Sequence, residues 1–336
     1  MKPVRFGLIG CSGIARRRFV PALAGLKAAR LERVGSRDPA RAKQFAEAWG
    51  CSKYGSYGEV MADPDVDAVY ISTPPALHES WIRAAATCRK HILCEKPAFT
   101  NYGSAVEVVE LCRRSGVRLM EGYMFRYHPQ HAVVMALLAE DRIGAPQVIQ
   151  SEFALPEPAS GDYRLQPEMG GGVFLDAAGY PVAIALLLYK TMPTSIYCQI
   201  RVDENGVDRA ISMVLDFSGG RLTHALALYG TCYRSSYLVL GSQGSIQTTR
   251  AFSVPPEMKI ELVLETVSGK EIIPVAPADQ FRLMIEDFCA QITQSGLSSQ
   301  TFEDRLLRQH AVMEAARRSN ARQRPILLSE IETGKI

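Results

Sequence analysis

The first third of the chain alternates short apolar runs with helical patterns, and this alternation constrains the fold more than any other feature of the sequence. The apolar runs occupy residues 4–10, 31–35, 68–72, 92–94 and 117–120, and the helical patterns between them include residues 40–49, 77–87 and 102–115. Strands that alternate with helices of this length predict βαβ units, and right-handed crossovers then place helices on both faces of a parallel sheet. We therefore expect an α/β, doubly wound dinucleotide-binding domain over residues 1–122.

The pattern changes after residue 123, where strands follow one another with few helices between them. A helix over residues 129–139 is followed by strands over residues 147–153, 195–202, 210–217, 221–229, 237–240 and 259–266, with further helices over residues 172–189, 279–294 and 303–320. Consecutive strands separated only by turns favour an antiparallel sheet, and Gly219-Gly220 is typical of a hairpin turn. We expect residues 123–336 to form an α+β domain with a large, mostly antiparallel open sheet.

The amino-acid composition argues against two classes of binding partner, nucleic acids and membranes. Basic residues exceed acidic residues by only 38 − 35 = 3, so neither nucleic acid nor a membrane surface is expected as a partner. No apolar stretch approaches the roughly 18–20 residues that a bilayer requires, and no secretory signal is expected. The eight cysteines form no C-x-x-C pair, which favours reduced thiols in a cytoplasmic protein and no metal site.

A glycine turn follows the first predicted strand and opens a helix. In a doubly wound fold this is where backbone amides and the helix dipole meet the pyrophosphate of a dinucleotide. The match to G-x-G-x-x-G/A is imperfect, because Ser12 occupies the middle position and a glycine stands beside it. The alternative is a structural strand–helix turn. The expected cofactor contacts of this turn are Gly10, Ser12, Gly13, Ile14 and Ala15.

The residues after the second predicted strand determine whether NADP(H) or NAD(H) is the preferred cofactor. Ser36 and Arg37 come first after Gly35, and an arginine fork can pair with the 2′-phosphate of NADP(H). Asp38 follows, and a shift of one or two residues would place its carboxylate on the ribose 2′-hydroxyl of NAD(H). We expect NADP(H) as the preferred cofactor and NAD(H) as the alternative. Arg37 could instead be an exposed residue at the start of the next helix.

Two further stretches carry a resemblance to a known family. Residues 72–78 are followed by Cys94-Glu95-Lys96-Pro97, and a second motif runs through the glycines at 170–172 to Asp176 and Tyr180. Together with residues 240–246, they make nearly the whole chain similar to the glucose–fructose oxidoreductase/inositol dehydrogenase/MocA (Gfo/Idh/MocA) family. The resemblance implies a Rossmann domain, a second domain whose open sheet mediates oligomerisation, a nicotinamide cofactor, and hydride transfer at an oxygen-bearing carbon of a sugar or polyol.

The resemblance also assigns residues. Lys96 matches the lysine of the family's E-K-P motif, while Asp176 and Tyr180 match its D-x-x-x-H motif with tyrosine in place of histidine. Tyrosine at this position resembles the branch that contains nucleotide-sugar 3-ketoreductases and dihydrodiol dehydrogenases. The further cofactor contacts expected are Thr73, Pro74, His78, Glu95 and Lys96. Hydrogen bonding at a helix start is the alternative for His78, and a structural role in the loop is the alternative for Glu95.

These residue types suit ketone reduction, because a side chain must donate a proton to the ketone oxygen as the hydride arrives at the carbon. Tyr180 has a reference pKa of about 10, and a nearby Lys96 ammonium favours its phenolate. We expect Tyr180 as proton donor in reduction and base in oxidation, with Lys96 on the substrate oxygen or nicotinamide ribose. Asp176 lies four residues earlier and would share a helix face with Tyr180. Each residue also has a purely structural alternative. Lys96 could be a solvated turn residue, Asp176 a residue at a helix N-terminus, and Tyr180 a core residue.

The remaining candidates concern the substrate. The expected contacts are Lys96, Tyr123, Arg126, Tyr163, Arg164, Asp176 and Tyr180. An arginine pair suits a nucleotide diphosphate, although surface salt bridges would also explain it. The leading hypothesis is an NADP(H)-dependent oxidoreductase that transfers hydride to or from a sugar carbon, as a ketoreductase of a (nucleotide-linked) keto-hexose. The alternatives are a free-sugar or trans-dihydrodiol dehydrogenase and, from another class, a non-catalytic dinucleotide-binding regulator. We expect a homodimer or homotetramer assembled through the second domain's sheet.

Overall fold

The chain was analysed as a computed structural model that describes residues 2–293 and 301–332. Its described residues form two compact units. The first extends to Tyr123 and includes the segment from Phe281 to Leu307, and the second contains Met124–Gln280 and the segment from Arg308 onward. Within the described ranges, no single helix has the length and apolar character to cross a membrane, whereas the bent pair Pro167–Asp176 and Gly179–Tyr189 has both when taken together.

The first unit is built on a parallel sheet. In the described residues its six strands have the order β3-β2-β1-β4-β5-β6. They are β1 (Val4–Ile9), β2 (Ala29–Gly35), β3 (Tyr54–Gly55), β4 (Ala68–Ile71), β5 (His91–Cys94) and β6 (Leu119–Glu121). All four residues of β4 are buried, as expected for a parallel strand covered on both faces. The predicted doubly wound sheet is confirmed.

The helices of this unit include one that the periodicity analysis missed. A π-helical turn, Ala15–Phe19, leads into α1 (Val20–Ala24), and the other helices are α2 (Pro39–Ala48), α3 (Tyr57–Ala62), α4 (His78–Thr87) and α5 (Tyr102–Arg114). The unpredicted α3 begins with a capping box, in which Glu59 N donates to Ser56 Oγ (3.3 Å) and Ser56 N donates to Glu59 Oε2 (2.7 Å). The S-x-x-E signal was therefore present in the sequence.

Part of the C-terminal region belongs to the first unit. The last helices are α9 (Gln280–Thr293) and α10 (Thr301–Arg322), and residue 294, where α9 was expected to end, lies outside the described residues. Phe288 packs with its ring 5.9 Å from that of Phe6, and Leu306 joins the buried core. The expected division into the continuous segments 1–122 and 123–336 differs from this arrangement, because apolar burial places Phe288 and Leu306 in the core of the first unit.

The second unit contains a large mixed sheet. Its nine strands in the described residues have the order β14-β13-β12-β11-β7-β10-β9-β8-β15. They are β7 (Pro146–Ala154), β8 (Ser195–Val202), β9 (Asp208–Phe217), β10 (Arg221–Leu228), β11 (Arg234–Gly241), β12 (Gly244–Thr248), β13 (Ile260–Thr266), β14 (Gly269–Val275) and β15 (Ile326–Leu327). Only β7 and β10 pair in parallel among these neighbours, so the predicted, mostly antiparallel sheet is confirmed.

The predicted hairpin lies between β9 and β10. Phe217 pairs with Arg221, and the turn between them contains Gly219 and Gly220 at φ of 79° and 73°. Both values lie in the left-handed region, where a side chain is disfavoured and glycine is not. The pair of glycines therefore fixes the register of these two strands.

The predicted helix over residues 172–189 is broken. The unit contains α6 (Pro129–Ala139), as predicted, then α7 (Val173–Asp176), α8 (Gly179–Tyr189) and, at the end of the chain, α11 (Ser329–Glu332). Pro181 explains the break, because in a continuous helix its ring would collide with the carbonyl of Ala177 and it has no N–H to donate. The expectation that Asp176 and Tyr180 lie four residues apart on one helix face is therefore wrong.

A buried ion pair ties α10 to the sheet of the first unit. Arg118 Nε donates to Glu303 Oε1 over 3.0 Å, and both side chains are at most 5% exposed. We expect Glu303→Ala to lower the free energy of unfolding by about 3 kcal/mol or more, because Arg118 would keep a buried charge without its partner. Urea denaturation measures this loss. Glu303→Gln retains hydrogen-bonding capacity and should lose less.

The neighbouring pair provides the control. Arg113 donates to Asp304 over 2.9 Å, but Asp304 is 58% exposed, so Asp304→Ala should cost less than about 1 kcal/mol. Equal losses in the Glu303 and Asp304 variants would contradict the importance of the buried pair.

Candidate functional site

The turn after β1 approaches another strand too closely for a side chain. Gly10 has φ of +104°, and a Cβ atom built there would lie 3.2 Å from the backbone carbonyl carbon of Ser72. Ser72 Oγ donates to Gly10 O over 2.8 Å and holds the two backbones together. The turn lies at the carboxyl ends of β1 and β4, where the strand order reverses and doubly wound folds bind dinucleotides.

The serine that replaces the middle glycine caps the following helical turn. Ser12 Oγ accepts from Ala15 N at 3.1 Å, and Ser12 O accepts from Arg16 N at 3.1 Å. Gly13 is exposed and Ala15 is buried, with Ile14 partly buried between them. The turn therefore keeps its shape with a serine in the middle position, and its residues fit a bound pyrophosphate.

The end of β2 presents cations rather than a carboxylate. Ser36 is buried, and its Oγ accepts from Asp38 N at 3.2 Å, while Arg37 is exposed. Asp38 caps α2, where its Oδ1 accepts from Ala40 N at 2.9 Å and from Arg41 N at 3.3 Å. The carboxylate considered for an NAD(H) ribose is thus engaged at a helix N-terminus.

Arg41 is a residue that the sequence analysis missed. Its Nη2 donates to Cys11 O over 2.7 Å, which places the guanidinium at the glycine turn. Burial raises the pKa of the Cys11 thiol, and Arg41 and Arg16 oppose that shift. Burial likewise raises the pKa of Tyr57, and Arg37 and Arg41 oppose it. Arg37 and Arg41 therefore both act on this corner of the unit, and they fit the 2′-phosphate of NADP(H).

The loops after β4 and β5 are joined by a histidine. His78 is buried, with Nε2 2.7 Å from Thr73 O and Nδ1 2.8 Å from Pro97 O. Burial lowers the pKa of this imidazole. With both ring nitrogens directed at backbone carbonyls, the side chain has the geometry of the structural alternative rather than that of a cofactor contact.

The same loops carry Thr73 and Lys96. The Thr73 hydroxyl is buried and lacks a hydrogen-bond partner in the described part of the chain, which fits a polar cofactor atom beside Pro74. Lys96 is half-buried and precedes Pro97 through a cis peptide bond. Glu95 accepts from the Tyr70 hydroxyl, so this carboxylate has the contact expected for its structural role in the loop.

In the second unit, Tyr180 lies at the start of α8 within an aromatic cluster. Its ring centroid is 4.9 Å from that of Phe153, 5.4 Å from Phe252 and 5.6 Å from Phe125. The residue is 4% exposed, and its hydroxyl lies 3.9 Å from Met124 Sδ. Such packing fixes the ring and surrounds the phenol with an apolar environment.

Asp176 accepts hydrogen bonds from two side chains distant in sequence. Its Oδ2 accepts from Arg164 Nε at 3.0 Å and from the Tyr229 hydroxyl at 2.9 Å. Arg164 also contacts Asp162 at 3.2 Å and lies over the Tyr163 ring at 4.8 Å. Asp176 and its other neighbours raise the pKa of Arg164 against the effect of burial. The structure thus brings Tyr163, Arg164 and Asp176 together, and adds Tyr229, which no local signal predicted.

Arg126 and Tyr123 are the other substrate candidates. Arg126 is half-buried, with its guanidinium 5.9 Å from the centroid of Phe125, and Tyr123 is buried at the end of the first unit. The described residues contain no group of three or more histidine, cysteine or acidic side chains arranged for a metal ion. Arg164, one member of the arginine pair expected for a diphosphate, is paired with Asp162 and Asp176.

A dinucleotide cradle in one unit and a buried tyrosine beside an open sheet in the other define a nicotinamide-dependent oxidoreductase. The model of an oxidoreductase family with an NAD-binding Rossmann fold matches residues 4–123, and the model of the GFO/IDH/MocA C-terminal domain matches residues 131–247. The chain belongs to the Gfo/Idh/MocA family. The family, fold class and oxidoreductase activity expected from the sequence are confirmed.

Several similar proteins are named for sugar substrates or ketone reduction. A dTDP-3,4-didehydro-2,6-dideoxy-alpha-D-glucose 3-reductase from Saccharopolyspora spinosa is 34% identical, over 87% of this chain and 88% of the relative. A D-xylose 1-dehydrogenase (NADP(+)) from Haloferax volcanii is 33% identical, over 85% and 88%. A solved structure of a 3-ketoreductase from Actinomadura kijaniata, in complex with NADP and TDP-benzene, is 31% identical with a TM-score of 0.91, covering 94% of this chain and 98% of that one.

Two buried histidines should make the second unit sensitive to acid. Burial lowers the pKa of His128 to about 4 and that of His131 to about 3. An unfolded histidine titrates near 6.5, so the unfolded chain binds more protons below that pH and stability falls as the pH decreases toward the folded values. We expect His128→Asn, which retains an acceptor for Gln130 N, to reduce this slope by up to about 1.4 kcal/mol per pH unit.

Urea denaturation at a series of pH values between about 4 and 7 measures the slope. His224→Asn is the control, because His224 is exposed on β10 and should leave the slope unchanged. A His128→Asn variant with the native pH dependence would refute the assignment.

Proposed function

We propose that this protein is an NADPH-dependent reductase that converts the ketone of a nucleotide-linked keto-hexose into an alcohol. The observation that carries the proposal is the buried phenol of Tyr180, held by three aromatic rings in a chain that is similar to 3-ketoreductases along nearly its full length. The substrate class comes from two relatives, one named for a dTDP-linked deoxy-keto-sugar and one solved in complex with TDP-benzene.

The chain's own residues would handle the proton and the orientation of the substrate. The nicotinamide cofactor supplies the hydride when it is bound. We propose that the Tyr180 hydroxyl donates its proton to the ketone oxygen as negative charge develops there. Lys96 would hold the same oxygen or the nicotinamide ribose by a charge-assisted hydrogen bond. Asp176 would act by positioning, since its carboxylate fixes Arg164 and Tyr229.

The proposed preference for NADPH rests on charge at the end of β2. Arg37 is exposed, Arg41 is held at the glycine turn, and Asp38 is used as a helix cap. An acidic side chain directed at the ribose would repel a 2′-phosphate, and here that carboxylate has another partner. NAD(H) would lose the contacts to both guanidinium groups.

A second candidate is a dehydrogenase of free sugars or trans-dihydrodiols. One observation favours it: Arg164, expected to bind a diphosphate, is already paired with Asp162 and Asp176. The relative named as a D-xylose 1-dehydrogenase supports a free-sugar substrate. Membership of an oxidoreductase family argues against the third hypothesis, a non-catalytic dinucleotide-binding regulator. A homodimer or homotetramer through the second unit's sheet and a cytoplasmic location stay predictions.

Substitution of the two proposed catalytic residues tests the reaction. Tyr180→Phe removes the proton donor and keeps the ring, so turnover should fall by about a hundredfold or more, and Lys96→Ala should have a similar effect. The measurement is NADPH oxidation with a nucleotide-linked 3-keto-hexose. Tyr189→Phe is a matched control at the far end of α8, because its hydroxyl contacts only backbone carbonyls among its described hydrogen-bond partners.

The same assay distinguishes the two substrate classes. The proposed reductase should prefer the nucleotide-linked ketone over the same sugar without its nucleotide. Equal activity with both sugars would favour the free-sugar dehydrogenase, and full turnover by Tyr180→Phe would exclude its role as proton donor.

Cofactor choice has its own test. Arg37→Ala and Arg41→Ala should each weaken NADPH binding by about tenfold, because one charge-assisted contact to phosphate is lost. NADH binding should change little in either variant. Titration followed by nicotinamide fluorescence gives both affinities, and Lys43→Ala removes a cation of the same helix α2 as a control. Equal losses for NADH and NADPH would contradict a 2′-phosphate contact.

A further inference from the structure

We propose that Arg250, stacked on Tyr233, binds the diphosphate of the substrate, a role not expected of either residue from the sequence. This inference rests on the proposed function, because it assumes a nucleotide-linked sugar. It gives the second unit a phosphate contact that Arg164 is poorly suited to supply. The observation behind it is a guanidinium with uncommitted donors, lying against a phenol whose buried hydroxyl also lacks a partner.

Arg250 differs from Arg209 and Arg234, two other arginines of the second unit. Its Cζ lies 4.1 Å from the centroid of the Tyr233 ring, and its Nε donates to Ser253 O over 3.1 Å. No carboxylate of residues 2–293 or 301–332 lies within ion-pair distance of it, whereas Arg209 is paired with Glu157 and Arg234 with Glu152. Its terminal nitrogens therefore retain the fork that binds a phosphate through two hydrogen bonds.

Tyr233 provides an independent indication of a ligand. Its hydroxyl is shielded from solvent and has no hydrogen-bond partner in the described part of the chain. Leaving such a group unsatisfied costs free energy, so buried hydroxyls nearly always have a partner. A phosphate oxygen beside Arg250 would satisfy the hydroxyl and the guanidinium together.

The pair lies close to the proposed proton donor. The Tyr233 ring contacts that of Phe153 edge-on at 6.1 Å, and Phe153 contacts Tyr180 edge-on at 4.9 Å. Phe252, two residues after Arg250, packs directly on Tyr180 at 5.4 Å. In a nucleotide-linked 3-keto-hexose, the same sugar ring carries the ketone at C3 and the diphosphate on the anomeric oxygen at C1, with one ring carbon between these positions. The arrangement matches a ketone at Tyr180 and a diphosphate at Arg250.

Buried polar side chains hold the segment that carries Arg250. Gln130 Nε2 donates to Arg250 O (3.1 Å) and Ala251 O (3.3 Å), and Gln280 Nε2 donates to Phe252 O (3.3 Å). Phe252 N donates to Ser235 Oγ over 2.9 Å. Because Gln130, Gln280 and Ser235 are almost fully buried, the segment is fixed before a ligand arrives. A fixed site loses less entropy on binding.

The test compares thymidine diphosphate with thymidine, which lacks the charged groups. Calorimetric titration of the NADP⁺-loaded protein should give diphosphate binding that Arg250→Ala weakens by about tenfold or more. Thymidine binding should be unaffected. Arg250→Lys keeps the positive charge but loses the two parallel N–H donors, and Tyr233→Phe loses only the hydroxyl. Both variants should therefore weaken diphosphate binding less than Arg250→Ala does.

Arg234→Ala is the matched control, because Arg234 directly follows Tyr233, is exposed at the start of β11 and is already paired with Glu152. Unchanged NADPH binding in each variant verifies that the fold is retained. Native protein that binds the diphosphate no better than thymidine would refute the nucleotide-linked substrate and with it the role of Arg250. Native discrimination that persists in Arg250→Ala would overturn the Arg250 assignment alone.

Discussion

The architecture of the second unit around Tyr180 depends on the carboxylate of Asp176. This buried group accepts from Arg164 and Tyr229, so it joins the loop before α7 to the end of β10. A buried carboxylate is tolerated only when such donors satisfy it. Its position at the end of α7, directly before the break that Pro181 imposes, allows α8 to start in a new direction and present Tyr180 to the rings of Phe153 and Phe252.

Much of the fold could be predicted because it depends on local patterns. Buried parallel strands such as β4 are continuous apolar runs, and the paired glycines at 219 and 220 mark a hairpin whatever surrounds them. Elements without such patterns were not predicted. One example is β3, which has only two residues and is defined by its pairing with β2. The break before Tyr180 was predictable, since Pro181 was visible in the sequence, but the apolar run on both sides concealed it.

The candidate site divides in the same way. Gly10 and Ser36 could be located because a strand followed by a glycine turn has few structural solutions. Arg41 and Tyr229 could not, because each acquires its partner across 30 or more positions, Arg41 with Cys11 and Tyr229 with Asp176. Arg250 could not either, because its contact with Tyr233 joins two different segments of the chain. Ion pairs cannot be predicted from the sequence alone either. Arg164 and Arg250 are both single arginines in the sequence, and only the folded structure reveals that Arg164 is paired with Asp176 whereas Arg250 lies on Tyr233.

The imidazole of His78 has a mechanical consequence for the first unit. Its buried ring lies within hydrogen-bond distance of both Thr73 O and Pro97 O, so one side chain packs between the loops after β4 and β5. Thr73, on the cofactor side, and Pro97, next to the proposed catalytic Lys96, are therefore positioned against the same buried ring.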